Sequence, residues 1–145
     1  MEETVYLLSE ENAQKQVDLL FEWYGRKWET LDKDQQTALS SHCIALVNAI
    51  RKGHLEIKKD QDELKIHQTL LMGYSKLSDM AELNYKEVNA KAKRMIPDPS
   101  DDCNHYSRIY SLIQYLTGLS KAQFDSLRSE DLRVAEALGS LFLLL

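Results

Sequence analysis

The chain has 145 residues, of which 43% are hydrophobic and 28% are charged, and its formal net charge is -5 at pH 7. A chain of this size can bury about two-thirds of the surface that its unfolded form exposes, so it needs neither a disulfide framework nor a metal in order to fold. Proteins that bind duplex nucleic acid usually carry a basic excess, because phosphate neutralisation supplies most of their affinity. The acidic balance therefore argues against a nucleic-acid partner, though not against a local basic patch.

Cysteine content and the ends of the sequence favour a cytoplasmic protein. Cys43 and Cys103 are too few for a disulfide framework, and we interpret them as reduced thiols. Residues 1–4 are acidic and lack the basic and then apolar order of a signal peptide. The longest apolar run is Leu141 to Leu145, far shorter than the ~20 residues of a membrane span, so we expect no membrane partner.

The first third of the chain predicts two amphipathic helices. Ser9 is a suitable N-cap for the first helix, and Gly25 weakens or ends it. The second helix is predicted to begin near Asp32 or Asp34 and to end at Gly53. Apolar residues recur at helical spacing in both, as Ala13, Val17, Leu20, Phe21, Tyr24 and Trp28 in the first and as Leu39, Cys43, Leu46, Val47 and Ile50 in the second.

After Gly53 the apolar period shortens to about two residues, which predicts a β-hairpin. Apolar and polar residues alternate in 54–58, and they alternate again from Leu64 to Leu70 after the polar turn 60–63. A third short strand is predicted at 81–85, and Met72 to Ser75 is predicted to be a loop.

Further helices are predicted towards the C-terminus. A short helix carries Val88, Ala92, Met95 and Ile96 on one face, and the stretch 97–102 stops it. The next helix points Tyr106, Ile109, Tyr110, Ile113 and Leu116 inward. It ends at Gly118, for which we predict a positive φ. Ser120 then caps a single turn with Phe124 and Leu127, and the last helix begins at Ser129 with Leu132, Ala135, Leu138 and Phe142 on its apolar face.

These elements predict an α+β fold that is predominantly helical. It comprises an N-terminal helical pair in 1–53, followed in 54–145 by a small β-hairpin or three-stranded sheet and C-terminal helices. The junction at Gly53 is too short for a free linker, so we expect the two segments to form one compact domain.

Catalytic and metal-binding motifs are missing from the sequence. His42 and Cys43 are neighbours that point to different faces of a helix, and neither they nor Cys103 with His105 have the spacing of a metal site. No nucleophile elbow or glycine-rich phosphate loop is present, although a distant pairing of Cys103 with His67 stays open. We therefore predict no cofactor, no metal and no enzymatic activity.

A small basic cluster comprises Lys86, Lys91, Lys93 and Arg94, with Tyr85 beside it. Because Glu82 and Glu87 are adjacent and the chain is acidic overall, a solvated helix face is favoured over a nucleic-acid site.

Apolar residues at the C-terminus suggest a partner-binding surface. We expect the last helix to bury one face only, so that Leu141, Phe142 and Leu143 are partly exposed or cover a groove. The alternative is a tail that docks onto the core. Trp23 falls off the main stripe of the first helix, and together with Trp28 it completes the set of candidate partner-binding residues.

Several motifs follow one another in the C-terminal third. A helix leads into Leu-Thr-Gly-Leu-Ser at 116–120, a turn contains Leu127, Asp-Leu stands at 131–132, and Gly139 to Phe142 lie in the last helix. This order resembles the tail assembly chaperones of long-tailed bacteriophages. Upstream, the strand at 64–66 and the segment 83–87 are similar to elements of that family, with Lys86 where Arg is usual. The resemblance covers roughly residues 64–142 and leaves out the N-terminal helical pair.

The resemblance implies a binding role without catalytic residues. Such a chaperone coats the long tape-measure protein in the host bacterial cytoplasm before the tail tube polymerises, and it is absent from the mature virion. Family members are often accompanied by a frameshifted, longer form. The expected partner is therefore the tape-measure protein or another helical tail protein, and a homo-oligomer is possible. Two alternatives stay open, namely a small regulatory or inhibitory protein-binding module and a minor structural or completion subunit of the tail.

Overall fold

Helices dominate the structure, and a single antiparallel sheet accompanies them, so the protein belongs to the α+β class. The computed structural model describes residues 6–70, 82–98, 100 and 104–144, and the predicted loop from Met72 to Ser75 lies outside them. In chain order the elements are α1 (Glu10–Trp23), a 3-10 turn (Trp28–Thr30), α2 (Lys33–Arg51), β1 (Leu55–Asp60), β2 (Glu63–Thr69), β3 (Glu82–Tyr85), α3 (Ala90–Arg94), α4 (His105–Thr117), α5 (Lys121–Asp125) and α6 (Ser129–Leu144).

The first helix begins where the sequence predicts but ends earlier than its apolar stripe suggests. The Ser9 side chain accepts a hydrogen bond from the Asn12 N–H, which caps the helix. The chain leaves the helix after Trp23, because Gly25 adopts a left-handed conformation with φ of 73°. The placement of Trp28 on the stripe of α1 is therefore wrong, and this residue starts the separate 3-10 turn.

The second helix has the predicted bounds. Asp32 and Gln35 form a reciprocal capping box at its start. At its end Gly53 has a φ of 81° and lies under the side chain of Leu7, so that the chain can turn directly into the sheet.

The sheet has the strand order β1-β2-β3, and both neighbouring pairs are antiparallel. The turn between β1 and β2 is shorter than the predicted 60–63, because β1 continues to Asp60 and β2 begins at Glu63. Gln61 in the two-residue turn adopts a positive φ of 56°. One face of the sheet is buried against the helices, and its residues are Leu55, Ile57, Leu64, Ile66, Gln68, Leu83 and Tyr85.

The outer edge of β1 is covered by α1. The backbone N–H of Ile57 donates to Oε1 of Gln16 on α1 at 2.8 Å, so a helix side chain takes the position that a further strand would occupy.

The C-terminal helices pack closely, with α6 in contact with both α2 and α4. Gly139 of α6 makes this possible, because a Cβ there would lie 2.5 Å from Cγ2 of Ile109 on α4. Gly118 ends α4 with a φ of 75°, which confirms the predicted left-handed terminus. The inward placement of Tyr106 is wrong, since its side chain is 55% exposed.

The short helix α3 is smaller than predicted. Val88 precedes it, and Met95 caps its end and is exposed rather than inward. Ala92 is the buried residue of this helix.

One hydrophobic cluster joins the two predicted segments. It runs without interruption from Ala13 in α1 to Phe142 in α6 and includes the inner face of the sheet. A buried polar chain crosses it, in which the Tyr85 hydroxyl donates to Oε1 of Gln68 at 2.5 Å and Nε2 of Gln68 donates to the carbonyl of Asp131 at 2.9 Å. These bonds fix the start of α6 against the sheet.

Candidate partner-binding cleft

The C-terminal apolar residues do not form the surface that the sequence led us to expect. Leu141 and Phe142 are both 0% exposed, and Leu143 is half-buried. The expectation that the last helix buries only one face is wrong, because α2 and α4 both pack against α6. The ring of Tyr24 also contacts Phe142 edge-on, with 6.2 Å between the ring centroids. In this conformation Leu141 and Phe142 therefore belong to the core.

Trp23 is half-buried and links the end of α1 to the segment after β3. Its indole N–H donates to Oε1 of Glu87 at 2.6 Å, and the hydroxyl of the neighbouring Tyr24 accepts a bond from the backbone N–H of Val88 at 2.9 Å. The ammonium group of Lys59 lies 6.0 Å from the Trp23 ring centroid. These contacts attach the end of α1 to the segment that follows β3, so Trp23 has a structural role whether or not it touches a partner.

Trp28 lies at an open apolar cleft between α1, the 3-10 turn and α2. The cleft has a volume of about 410 Å³. Trp28 packs edge-on against Phe21 with 6.1 Å between the ring centroids, and the Gln36 side chain donates to the Trp28 carbonyl at 2.8 Å, which fixes the turn. Ile44 of α2 stands at the lip of the cleft with 62% of its surface exposed. The lining residues are Gln14, Asp18, Phe21, Trp28, Glu29, Ser40, Cys43 and Ile44.

Cys43 contributes apolar surface to this cleft. Burial, followed by the nearby carboxylate of Asp18, raises the pKa of the Cys43 thiol to about 11. The thiol therefore stays protonated at neutral pH and is a weak nucleophile. It acts here as a small hydrophobic residue, in line with its position on the apolar stripe of α2.

The rim of the cleft is acidic. Asp18 on α1 and Glu29 in the 3-10 turn both line it, and among the residues that the structure describes no lysine or arginine does. Arg26 and Lys27 line a smaller adjoining cleft of about 270 Å³, which shares Asp18, Trp28 and Glu29 with the larger one. An apolar floor with an acidic rim can accept the apolar ridge of a partner helix that carries basic residues beside that ridge.

Ile44 was missed by sequence reasoning. It lies one residue after Cys43 and therefore points away from the apolar stripe of α2. Trp23 was selected because it is a large apolar residue off the apolar stripe of its helix, and Ile44 has the same feature. Such a residue either widens the buried face or marks a contact surface. Ile44 also lines a second cleft of about 310 Å³ between α2 and α6, so it forms a ridge between two hollows.

Other kinds of site have less support in the described part of the chain. No group of three or more potential metal-ligating side chains occurs there, and no helix among these residues is long and apolar enough to span a bilayer. His67 faces Asn84 and Glu82 across the exposed side of the sheet, and its possible partner Cys103 lies outside the described residues. In the basic cluster, Lys86 lies over the ring of Tyr115 at 5.3 Å.

Comparisons with protein-family models, with curated proteins and with solved structures find no match to this chain.

Proposed function

We propose that the protein is a phage or prophage tail assembly chaperone that binds a helical segment of the tape-measure protein in the host cytoplasm. The observation that carries this proposal is the open cleft between α1 and α2, with Phe21, Cys43 and the half-exposed Trp28 as its floor and Ile44 at its lip. An open apolar lining between two helices suits the apolar face of an amphipathic helix.

A tape-measure protein is a suitable occupant on physical grounds. Such a protein is a long helical chain with an apolar stripe, which would aggregate if it were left bare before the tube forms around it. Binding to a shallow, open cleft would shield one stretch of this stripe and still allow release. The acidic rim formed by Asp18 and Glu29 favours stretches in which lysine or arginine flanks the apolar residues.

The motifs that resemble tail chaperones also have physical roles in this chain. Gly118, inside the Leu-Thr-Gly-Leu-Ser segment, supplies the left-handed end of α4, and Gly139 lets α4 and α6 approach closely. Both glycines shape the C-terminal helices rather than the cleft itself. The residues that carry the resemblance therefore order the C-terminal helices, whereas the cleft between α1 and α2 supports the binding role.

Co-expression with the tape-measure protein of the same phage tests the proposal. Ile44→Asp places a charge on the lip of the cleft, and Trp28→Ala removes part of its floor. Truncation of an interface anchor typically costs about 2 kcal/mol or more, so we expect each variant to lose most of the co-purified tape-measure protein. Tyr106→Ser is the matched control, because it removes an exposed aromatic ring from α4, away from the cleft.

The possible results separate the proposal from its alternatives. Binding that survives both cleft variants, with all three variants folded by circular dichroism, would place the contact elsewhere and overturn the role of the cleft. Detection of the protein in purified virions at a fixed stoichiometry would instead favour a minor structural subunit of the tail.

A further inference from the structure

A further cleft, which lies between α2, α4 and α6 and is distinct from the one that Ile44 lines between α2 and α6, combines basic groups with an apolar wall. Its volume is about 320 Å³. His42 enters it from α2, while His105 and Arg108 enter from the first turn of α4. The apolar wall includes Leu39 and Leu143, and the full lining is Ala38, Leu39, His42, His105, Arg108, Ser140 and Leu143. This site is separate from the cleft between α1 and α2, and nothing in the proposed function uses it.

The guanidinium group of Arg108 is anchored to the backbone. Its Nε donates to the Pro97 carbonyl at 3.0 Å, which holds the plane of the guanidinium group. Among residues 6–70, 82–98, 100 and 104–144 it forms no ion pair with a carboxylate. Paired N–H groups of a guanidinium match the two oxygens of a carboxylate.

The two histidines lie close enough to influence each other. Burial and then the charge of His105 lower the pKa of His42, whereas Glu136 on α6 raises it. The Glu136 carboxylate accepts a hydrogen bond from the Tyr110 hydroxyl at 2.6 Å. A bound anion beside the two imidazoles would favour their charged forms.

From this arrangement we infer that the cleft binds a carboxylate that carries an aliphatic group. Arg108, with His105 and His42 beside it, would hold the carboxylate, and the aliphatic part would lie against Leu39 and Leu143. Two sources offer this chemistry, namely the C-terminus of a peptide that ends in an aliphatic residue and a short-chain fatty acid.

Two matched probes and one comparison probe test the inference by NMR. N-acetyl-leucine has the charged carboxylate and the aliphatic side chain, N-acetyl-leucinamide has the same side chain without the charge, and hexanoate represents a fatty acid. The ring signals of His42 and His105 are assigned with His42→Gln and His105→Gln. We expect N-acetyl-leucine to move both sets of signals saturably and N-acetyl-leucinamide to leave them unchanged. A tighter response to hexanoate than to N-acetyl-leucine would identify the fatty acid as the better source.

Variants of the whole chain show whether the named groups are responsible. Arg108→Gln should weaken N-acetyl-leucine binding by about tenfold or more, which is the usual effect of losing hydrogen bonds to a charged group. His105→Gln is the second variant, because its exposed side chain can be changed with little risk to folding. Arg133→Gln, an exposed residue that lines the cleft between α2 and α6, is the control and should leave the affinity unchanged. Equal binding of the amide, an absence of saturable shifts, or unaltered affinity in both Arg108→Gln and His105→Gln would overturn the inference.

Discussion

Gly139→Ala should destabilise the protein, although alanine is the better helix former. The added Cβ would lie 2.5 Å from Cγ2 of Ile109 and 3.3 Å from Cγ1 of Ile113. Carbon atoms in ordinary contact are about 3.5–4.0 Å apart, so the first contact overlaps by about 1 Å. Both isoleucines are fully buried and cannot move aside freely. Overpacking of this kind costs up to about 3 kcal/mol, and the helix propensity of alanine returns about 1 kcal/mol, so we expect a net loss of up to about 2 kcal/mol.

A double-mutant cycle with Ile109→Ala tests the cause of this loss. Ile109→Ala removes the Cγ2 that the new methyl group would meet, so in that background Gly139→Ala should be neutral or stabilise by up to about 1 kcal/mol. Urea denaturation followed by circular dichroism gives the free energy of unfolding of all four proteins. If Gly139→Ala stabilises the otherwise unchanged chain, or has the same effect in both backgrounds, close approach of α4 and α6 is not the reason for the glycine.

Three further predictions concern single positions. Gly118→Val should lower the free energy of unfolding by about 1 kcal/mol or more, because a β-branched residue is strained at a φ of 75°, and an unchanged melting temperature would contradict this. Tyr85→Phe should cost about 1–3 kcal/mol by chemical denaturation, since it leaves Oε1 of the buried Gln68 without its donor, and a neutral result would show that the bond adds nothing. Burial and His105 lower the pKa of His42 in the folded state, so the unfolded chain takes up the proton at a higher pH than the folded chain does. The free energy of unfolding should therefore fall as the pH drops through the ordinary histidine pKa of about 6.5. His42→Gln should flatten this part of the profile of stability against pH, and an identical profile would refute the assignment.

Local signals in the sequence predicted several helix ends. The caps at Ser9 and Ser120, the start of α2 near Asp32, its end at Gly53 and the left-handed Gly118 were all predicted correctly. Each depends on hydrogen bonds or backbone angles within a few residues of the cap, so the sequence contains the information directly. The predicted third strand also pairs with β2, because its alternation matches one buried face.

Burial around the last helix could not be predicted in the same way. A single amphipathic pattern does not reveal how many neighbours a helix has, and α6 has α2 and α4 packed against it. Leu141 and Phe142 were therefore proposed as partly exposed partner-binding residues, with a docked tail as the alternative, and they lie in the core. The candidate cleft depends on the same kind of long-range information, because Phe21, Trp28 and Ile44 come together only when α1, the turn and α2 are folded against one another.

The contact between Gln16 and the backbone of Ile57 has a consequence for any shortened chain. A fragment that starts at residue 54 would keep all of the residues that resemble tail chaperones, but it would lose the side chain that occupies the outer edge of β1. Unpaired N–H and C=O groups on an exposed edge invite pairing with another strand. Such a fragment should self-associate through β1, so the first 53 residues protect the remainder from aggregation in addition to supplying the lining of the cleft between α1 and α2.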